Sequence, residues 1–212
     1  MVLATWWYED GPPPERPGPA VVEATSDRLG VLAAVANLEH AEVGRRLAEG
    51  HRAYLSLTGE AVAAYGWVAT ARAMVGELDI EIVLPPGNRY LWDFTTLPAW
   101  RGRGVYRHLL AEIVRRESPP ATRLWIIHAP ENRPSGRGIA RAGFRAVADL
   151  SFSASGHPAL RAIDTKRAAA GAALLGLPLV AGGLSPCWRC GAASPCACPD
   201  RAAAELCQCH QG

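Results

Sequence analysis

The segment from residue 90 to residue 114 constrains the fold most, because a strand, a glycine loop and an amphipathic helix follow one another without a linker. The aromatic run from Tyr90 to Leu97 predicts the strand, which Pro98 ends. Five apolar residues at helical spacing predict the helix: Val105, Leu109, Leu110, Ile113 and Val114. Such a succession requires a sheet with a helix packed on its face.

The rest of the pattern extends this unit into one domain with a mixed sheet. The predicted order is a strand, two helices, three or four meandering strands, a helix, a strand, a helix and a strand, which is an α/β (α+β) arrangement. The expected strands are 20–24, the hairpin 54–57 and 61–70, the neighbouring strands 78–84 and 90–97, and the strands 124–127 and 144–152. The expected helices are 28–38, a second one that ends near residue 48, the one that begins after the glycine loop and ends at Ser118, and 134–142. Residues 10–20 are expected to be a loop, because this stretch contains five prolines.

Composition narrows the class of protein. The 212 residues are 49% hydrophobic with a formal net charge of +2, which suits one sizeable core and excludes a disordered chain. The mild, evenly spread charge predicts no nucleic acid and no anionic membrane as an obligatory partner.

Targeting signals are not predicted. The first ten residues lack the basic start and long apolar run of a signal peptide, so we expect a cytoplasmic protein. Residues 168–188 contain no Asp, Glu, Lys, Arg or His, but their strongly apolar part, Leu174 to Val180, is too short to span a bilayer. We interpret this stretch as a short packed helix followed by a linker.

The loop Arg101-Gly102-Arg103-Gly104 is the candidate ligand site. Backbone amides at a helix N-terminus converge on one anion and carry partial positive charge, which suits a pyrophosphate, and two arginines add charge. The loop lacks the Gly-Lys-Ser/Thr of the Walker phosphate-binding loop. It also lacks the third glycine of the dinucleotide-binding fingerprint. The sequence therefore predicts a phosphate-bearing ligand of another kind.

The run from Leu97 to Tyr106 resembles the acyl-CoA signature, Arg/Gln-x-x-Gly-x-Gly/Ala, of the GNAT superfamily of N-acyltransferases. Three further pieces are similar in order and spacing: residues 24–27, 58–60, and Asn132-x-x-Ser135 followed by Ala142-Gly143-Phe144. The resemblance covers about residues 20–155 and implies a mostly antiparallel mixed sheet. It leaves residues 1–19 as an N-terminal arm, 156–186 as a linker or packed helix and 187–212 as a cysteine-rich tail.

The resemblance also implies a cosubstrate, acetyl-CoA or another acyl-CoA, and residues that hold it. The main chain near Thr96 and Leu97 would receive the pantetheine and the thioester carbonyl, and Asn132 would contact the pantetheine arm or order the next helix. The pyrophosphate would be bound by the amides of Arg101, Gly102, Arg103, Gly104, Val105 and Tyr106.

Two positions depart from the family pattern. Tyr106 stands where the signature has Gly or Ala, and Ile139 stands four residues before Gly143, where the family often has a tyrosine that protonates the CoA sulfur. Isoleucine cannot donate a proton, so Ser135, Tyr106 or a water molecule would have to do so, or the thiolate would leave unassisted.

Asp93 is the predicted general base, because a carboxylate inside an aromatic strand is costly without a partner or a role. Glu81, His108 and His128 are the other candidates. Each also has an ordinary structural interpretation: Glu81 as part of a solvated strand face, His108 as a surface residue and His128 as a hydrogen-bonded group at a strand end.

All six cysteines lie in the last 26 residues. Cys-x-x-Cys-Gly is typical of a zinc knuckle, and a second pair of ligands would complete a structural Zn²⁺ site without an open position for water. The candidate ligands are Cys187, Cys190, Cys196, Cys198, Cys207, Cys209 and His210. The open alternative is a loosely ordered cysteine-rich tail. Trp188 is expected either to be an exposed contact or to pack on the main domain.

Two functions remain open at this point. The first is an N-acyltransferase that moves an acetyl or other acyl group to a primary amine of a small molecule or a protein by direct attack in a ternary complex. The second is a non-catalytic acyl-CoA-binding sensor or interaction protein, in which the tail docks a partner or forms a homodimer.

Overall fold

A computed structural model describes residues 1–185, 187 and 188. In this part of the chain there are ten strands and five α-helices. The strands are β1 Val2–Trp7, β2 Ala20–Ala24, β3 Arg52–Thr58, β4 Ala61–Ala69, β5 Arg72–Val75, β6 Ile80–Val83, β7 Asn88–Thr96, β8 Arg123–His128, β9 Arg145–Phe152 and β10 Pro158–Ala162. The helices are α1 Leu29–Ala36, α2 His40–Ala48, α3 Val105–Glu117, α4 Arg133–Arg141 and α5 Thr165–Leu175.

Eight strands form one sheet in the order β10-β9-β1-β8-β7-β4-β3-β2, and β5 and β6 form a separate small sheet. Neighbours in the large sheet run antiparallel, with the exception of β7 and β8, which are parallel. A parallel pair needs a crossover connection, and α3 provides it. The predicted mixed, mostly antiparallel sheet flanked by helices is confirmed.

Helices cover both faces of the sheet. The five predicted core residues of α3 are all buried, and they pack with Ile139 of α4 against one face. On the other face, α1 and α2 bury Leu32 and Val43 against β3 and β4, while α5 packs beside the β5–β6 pair. In the described residues, no helix has the length and apolar character needed to cross a bilayer.

The structure corrects the expected boundaries at both ends. Val2–Trp7, placed in the arm of residues 1–19, is an inner strand between β8 and β9. Five of its six residues are buried, so it lacks the alternation of a half-exposed strand. Pro158–Ala162, placed in the linker of 156–186, pairs with β9 at the sheet edge, where a proline at the first position is tolerated.

The predicted pairing of residues 78–84 with 90–97 is wrong. Residues 80–83 pair instead with Arg72–Val75, a strand that was not predicted from the sequence. The β5–β6 pair then buries Ala73, Val75 and Ile82 on the second face of the main sheet. This leaves β7 free to lie between β4 and β8.

The end of β7 is distorted by a bulge. Tyr65 of β4 faces Thr95 and Trp67 faces Trp92, so two residues of β7, Asp93 and Phe94, lie opposite Gly66. A Cβ on Gly66 would come within 2.1 Å of the Phe94 ring, which means that the ring lies directly on the β4 backbone. Only glycine at position 66 allows this contact.

Gly66→Ala is therefore expected to destabilise the protein by about 1–3 kcal/mol, since the added methyl group displaces the Phe94 ring in a packed core. Gly44→Ala is the matched control, because Gly44 lies inside α2 with open space around its Cβ position. That change is expected to stabilise the protein by about 0.5–1 kcal/mol. Urea unfolding of both variants measures the difference, and equal effects would contradict the packing argument.

Candidate active site

The loop before α3 has the geometry of an anion site. Gly102 and Gly104 both have φ of 75°, a conformation that favours glycine. Gly104 is the N-cap of α3, and no side chain in the described structure caps this helix end. The first amides of a helix have no partner within the helix, so those from Val105 onward remain available to a ligand.

The two loop arginines are held differently. Arg101 donates from Nε to the Thr96 carbonyl oxygen over 3.1 Å, and the Arg103 guanidinium lies 5.3 Å from the centre of the Trp100 ring. Both residues are exposed. Arg101 therefore connects the loop to the end of β7 in addition to placing positive charge beside the helix N-terminus.

An open edge of β7 lies next to this loop. Pairing of β7 with β8 ends at Leu91 and Ile126, although β7 continues to Thr96. Leu97 donates its amide to the Ala63 carbonyl of β4 over 2.9 Å, so Thr96 points its amide and carbonyl away from β4. The Thr96 amide is thus a backbone donor at the opening between the two strands.

Tyr106 and Ser135, the two candidate proton donors, are brought together. The Ser135 hydroxyl donates to Tyr106 Oη over 3.2 Å, and the Ser135 amide donates to Asn132 Oδ1 over 3.1 Å. Asn132 is therefore the N-cap of α4, one of its two expected roles. Burial raises the pKa of Tyr106 to about 12, so its phenol keeps its proton at neutral pH.

The Tyr106 ring fills a space that small residues leave open. It packs edge-on against Phe94 with ring centres 5.8 Å apart, and a Cβ on Gly138 would lie 2.6 Å from it. The ring therefore bridges β7 and α4. Ile139 points into the hydrophobic core and is 2% exposed, which explains why an apolar residue is suited to this position.

Asp93 lies in the bulge with φ of 50°, a left-handed conformation that is uncommon for a residue with a side chain. It is exposed, and its Oδ2 accepts a hydrogen bond from Arg46 of α2 over 2.7 Å. Arg46 was not predicted from the sequence, because nothing in the spacing of residues 46 and 93 indicates that they meet.

The alternative base candidates each have a structural partner. Glu81 faces Arg72 in the separate β5–β6 sheet at 3.3 Å. His108 packs its ring against Gly18, with Nε2 3.0 Å from the Pro19 carbonyl oxygen. His128 packs against Gly136, with Nδ1 3.0 Å from the Ala129 carbonyl oxygen. None of these contacts brings the side chain to the open edge of β7.

Most of the predicted metal ligands lie outside the described residues: Cys190, Cys196, Cys198, Cys207, Cys209 and His210. Cys187 is described and buried, and its carbonyl oxygen accepts from Ser151 Oγ at 3.3 Å. The indole Nε1 of Trp188 donates to the Glu131 carboxylate, and its ring packs on the main domain. Of the two expectations for Trp188, packing on the main domain is therefore confirmed. Within the described part, no group of three or more His, Cys, Asp or Glu residues is arranged to hold a metal ion.

Comparison with known proteins identifies the fold. No family model matches the sequence. No curated protein matches it either. Two solved structures of the aminoglycoside N-acetyltransferase AAC(6′)-Iy, one with CoA and one with a bisubstrate analogue, are similar with TM-scores of 0.50 and 0.51 and 16% identity. Each similarity covers 63% of this chain. It covers 97% of the chain in the structure with CoA and 95% of the chain in the structure with the bisubstrate analogue.

A putative GNAT acetyltransferase from Novosphingobium aromaticivorans has a TM-score of 0.49 and 18% identity over 68% of this chain. This chain spans only 58% of that protein. At these identities the similarity to the two aminoglycoside N-acetyltransferase structures shows the fold alone. It agrees with the expectation from the sequence.

The raised pKa of Tyr106 predicts a pH dependence of stability. Because the phenol ionises less readily in the folded state than in the unfolded state, its contribution to the free energy of unfolding is fully present below the unfolded pKa of about 10. This contribution is lost as pH rises toward 12. Tyr106→Phe should therefore reduce the loss of unfolding free energy between pH 10 and 12 by about 2 kcal/mol. Denaturant titrations at both pH values measure this, with Tyr8→Phe, at an exposed tyrosine, as the control.

Proposed function

We propose that the protein is an N-acyltransferase that transfers an acetyl or other acyl group from acyl-CoA to a primary amine. The observation that carries the proposal is the placement of the glycine loop beside the open edge of β7. The loop offers helix amides for the pyrophosphate, and the Thr96 amide lies nearby for the thioester carbonyl. The GNAT fold of the chain supports this assignment.

In the proposed reaction Asp93 takes a proton from the acceptor ammonium, and the free amine attacks the thioester carbonyl carbon. The Thr96 amide donates to the oxygen as it gains negative charge. The carbon–sulfur bond then breaks and the CoA thiolate leaves, while the nitrogen gives up its second proton to solvent to form the amide. Tyr106 or Ser135 supplies a proton to the sulfur, since both hydroxyls lie on the α3–α4 side of β7. The group that protonates the sulfur regains its own proton from solvent.

The acceptor is proposed to be a primary amine of a small molecule or of a protein. The aminoglycoside acetyltransferase with a similar fold acts on a small-molecule amine, according to its name. A cationic acceptor suits the exposed carboxylate of Asp93, because opposite charges attract and orient the incoming ammonium.

The cysteine-rich tail is proposed to bind one structural Zn²⁺ ion through four of the ligands named above. Two thiolates in a Cys-x-x-Cys-Gly turn are the support for this proposal. Elemental analysis of the purified chain tests it: about one equivalent of zinc is expected, and its loss on replacing Cys187 and Cys190 by serine is the matched check.

Calorimetric titration with acetyl-CoA tests the cosubstrate. The double variant Arg101→Ala/Gly104→Ala is expected to weaken binding about tenfold or more, because it removes a charge and strains the helix start. Gly59→Ala is the control, since Gly59 also has a positive φ, 59°, but lies in the β3–β4 turn with open space around it. Equal affinity of the double variant and the wild type would move the phosphate site elsewhere.

Thiol release in the presence of a panel of primary amines tests catalysis. Tyr106→Phe is expected to lower kcat about a hundredfold with little change in acetyl-CoA affinity, if the phenol is the acid. If Tyr106 is the acid, Ser135→Ala should lower kcat less than Tyr106→Phe does. If Ser135 is the acid, Ser135→Ala should lower kcat more. Acetyl-CoA binding without thiol release above background from any amine would favour the non-catalytic sensor, which the buried Ile139 also permits.

A further inference from the structure

Arg46 is more completely fixed than the other charged residues around the β7 bulge. Its Nη1 donates to Asp93 Oδ2 over 2.7 Å and its Nε donates to Glu42 Oε1 over 2.8 Å. The guanidinium lies 4.5 Å from the centre of the Trp92 ring and 5.1 Å from that of Trp67. Two carboxylates and two indoles therefore set its orientation, and the side chain is only 12% exposed.

Its partner Asp93 has the strained backbone of the bulge. Residues with a side chain adopt φ near 50° rarely, and aspartate is among those that tolerate it best, so a contact that holds the side chain helps to keep this conformation. The bulge comes two residues after the last β7–β8 pair and three residues before Thr96. The contact from α2 thus acts on the point where β7 separates from β8.

We infer that Arg46 is a positioning residue of the proposed active site. By holding the Asp93 carboxylate it keeps the bulge in place, and the bulge in turn sets the direction of the Thr96 amide at the open edge. The expected effect of Arg46 on acyl-CoA binding rests on the proposed function. The mechanical link from Arg46 to the bulge stands independently of it.

Hydrogen–deuterium exchange of the full-length protein without ligand tests the mechanical link. Arg46→Met keeps an unbranched aliphatic side chain and removes the guanidinium with its charge, and we expect amide exchange in residues 94–97 to accelerate about tenfold. The same change in an Asp93→Gly background is expected to have no effect on exchange there, because glycine adopts a positive φ without an anchor.

Arg45→Met is the matched control. Arg45 is the neighbouring residue of α2, contacts the same Glu42 and is 56% exposed, so it shares the charge but not the contact with the bulge. An Arg45→Met effect on exchange equal to that of Arg46→Met overturns the inference. The inference is also overturned if Arg46→Met changes amide exchange by the same factor in the wild-type background and in the Asp93→Gly background.

Calorimetry with acetyl-CoA tests the positioning role. Arg46→Met is expected to raise Kd about three- to tenfold, and Arg46→Met/Asp93→Gly to bring it back near the wild-type value. Altered exchange with unchanged Kd would overturn the positioning role. If the wild-type protein binds no acetyl-CoA, the proposed function fails, whereas the exchange measurements still judge the contact between Arg46 and the bulge.

Discussion

The early end of the pairing between β7 and β8 is the constraint on which the rest of the candidate site depends. Two parallel strands that stayed paired to their ends would close the sheet and use the Thr96 amide and carbonyl in the ladder. Here the ladder stops at Leu91, and a bulge follows at once. A bulge bends its strand and increases the local twist, so the two strand ends separate. The separation leaves polar backbone groups at the edge for a ligand.

Glycines around this edge make room for aromatic rings instead of acting as flexible joints. Gly66 lies under Phe94, Gly138 lies under Tyr106, and Phe94 and Tyr106 contact each other. These contacts form a continuous packed line from β4 through β7 to α4. The bulky Tyr106 is therefore accommodated by Gly138 opposite it, and the first turn of α3 keeps its open N-terminus.

The sequence was sufficient for the elements whose pattern is local. The amphipathic face of α3 and the turn at Gly59 follow from spacing and residue type within a few positions, and both are present. The N-cap at Asn132 is one of the two roles that the family resemblance implied for that residue. The inner strand β1 was missed because a strand buried on both faces has no alternation, and its short apolar run was considered only as a possible signal segment. The strand β5 was missed because its partner was assigned to β7.

The ion pair of Arg46 and Asp93 shows a different limit. It joins residues 47 positions apart on a helix and a strand, so its existence depends on how α2 crosses the sheet. Composition and periodicity contain no information about that crossing. The meeting of Tyr106 with Ser135 was likewise invisible, although each residue was identified separately as a candidate.

The two proposed proton-handling groups lie on opposite faces of the sheet. Arg46 approaches Asp93 from α2, whereas Phe94 packs in the core with α3 and α4 and contacts Tyr106 there. In the proposed reaction an acceptor amine loses a proton and a thiolate gains one, so a base and an acid are needed at the same time. Groups on opposite sides of β7 can serve the two needs independently, because no shared hydrogen bond couples them among the described contacts.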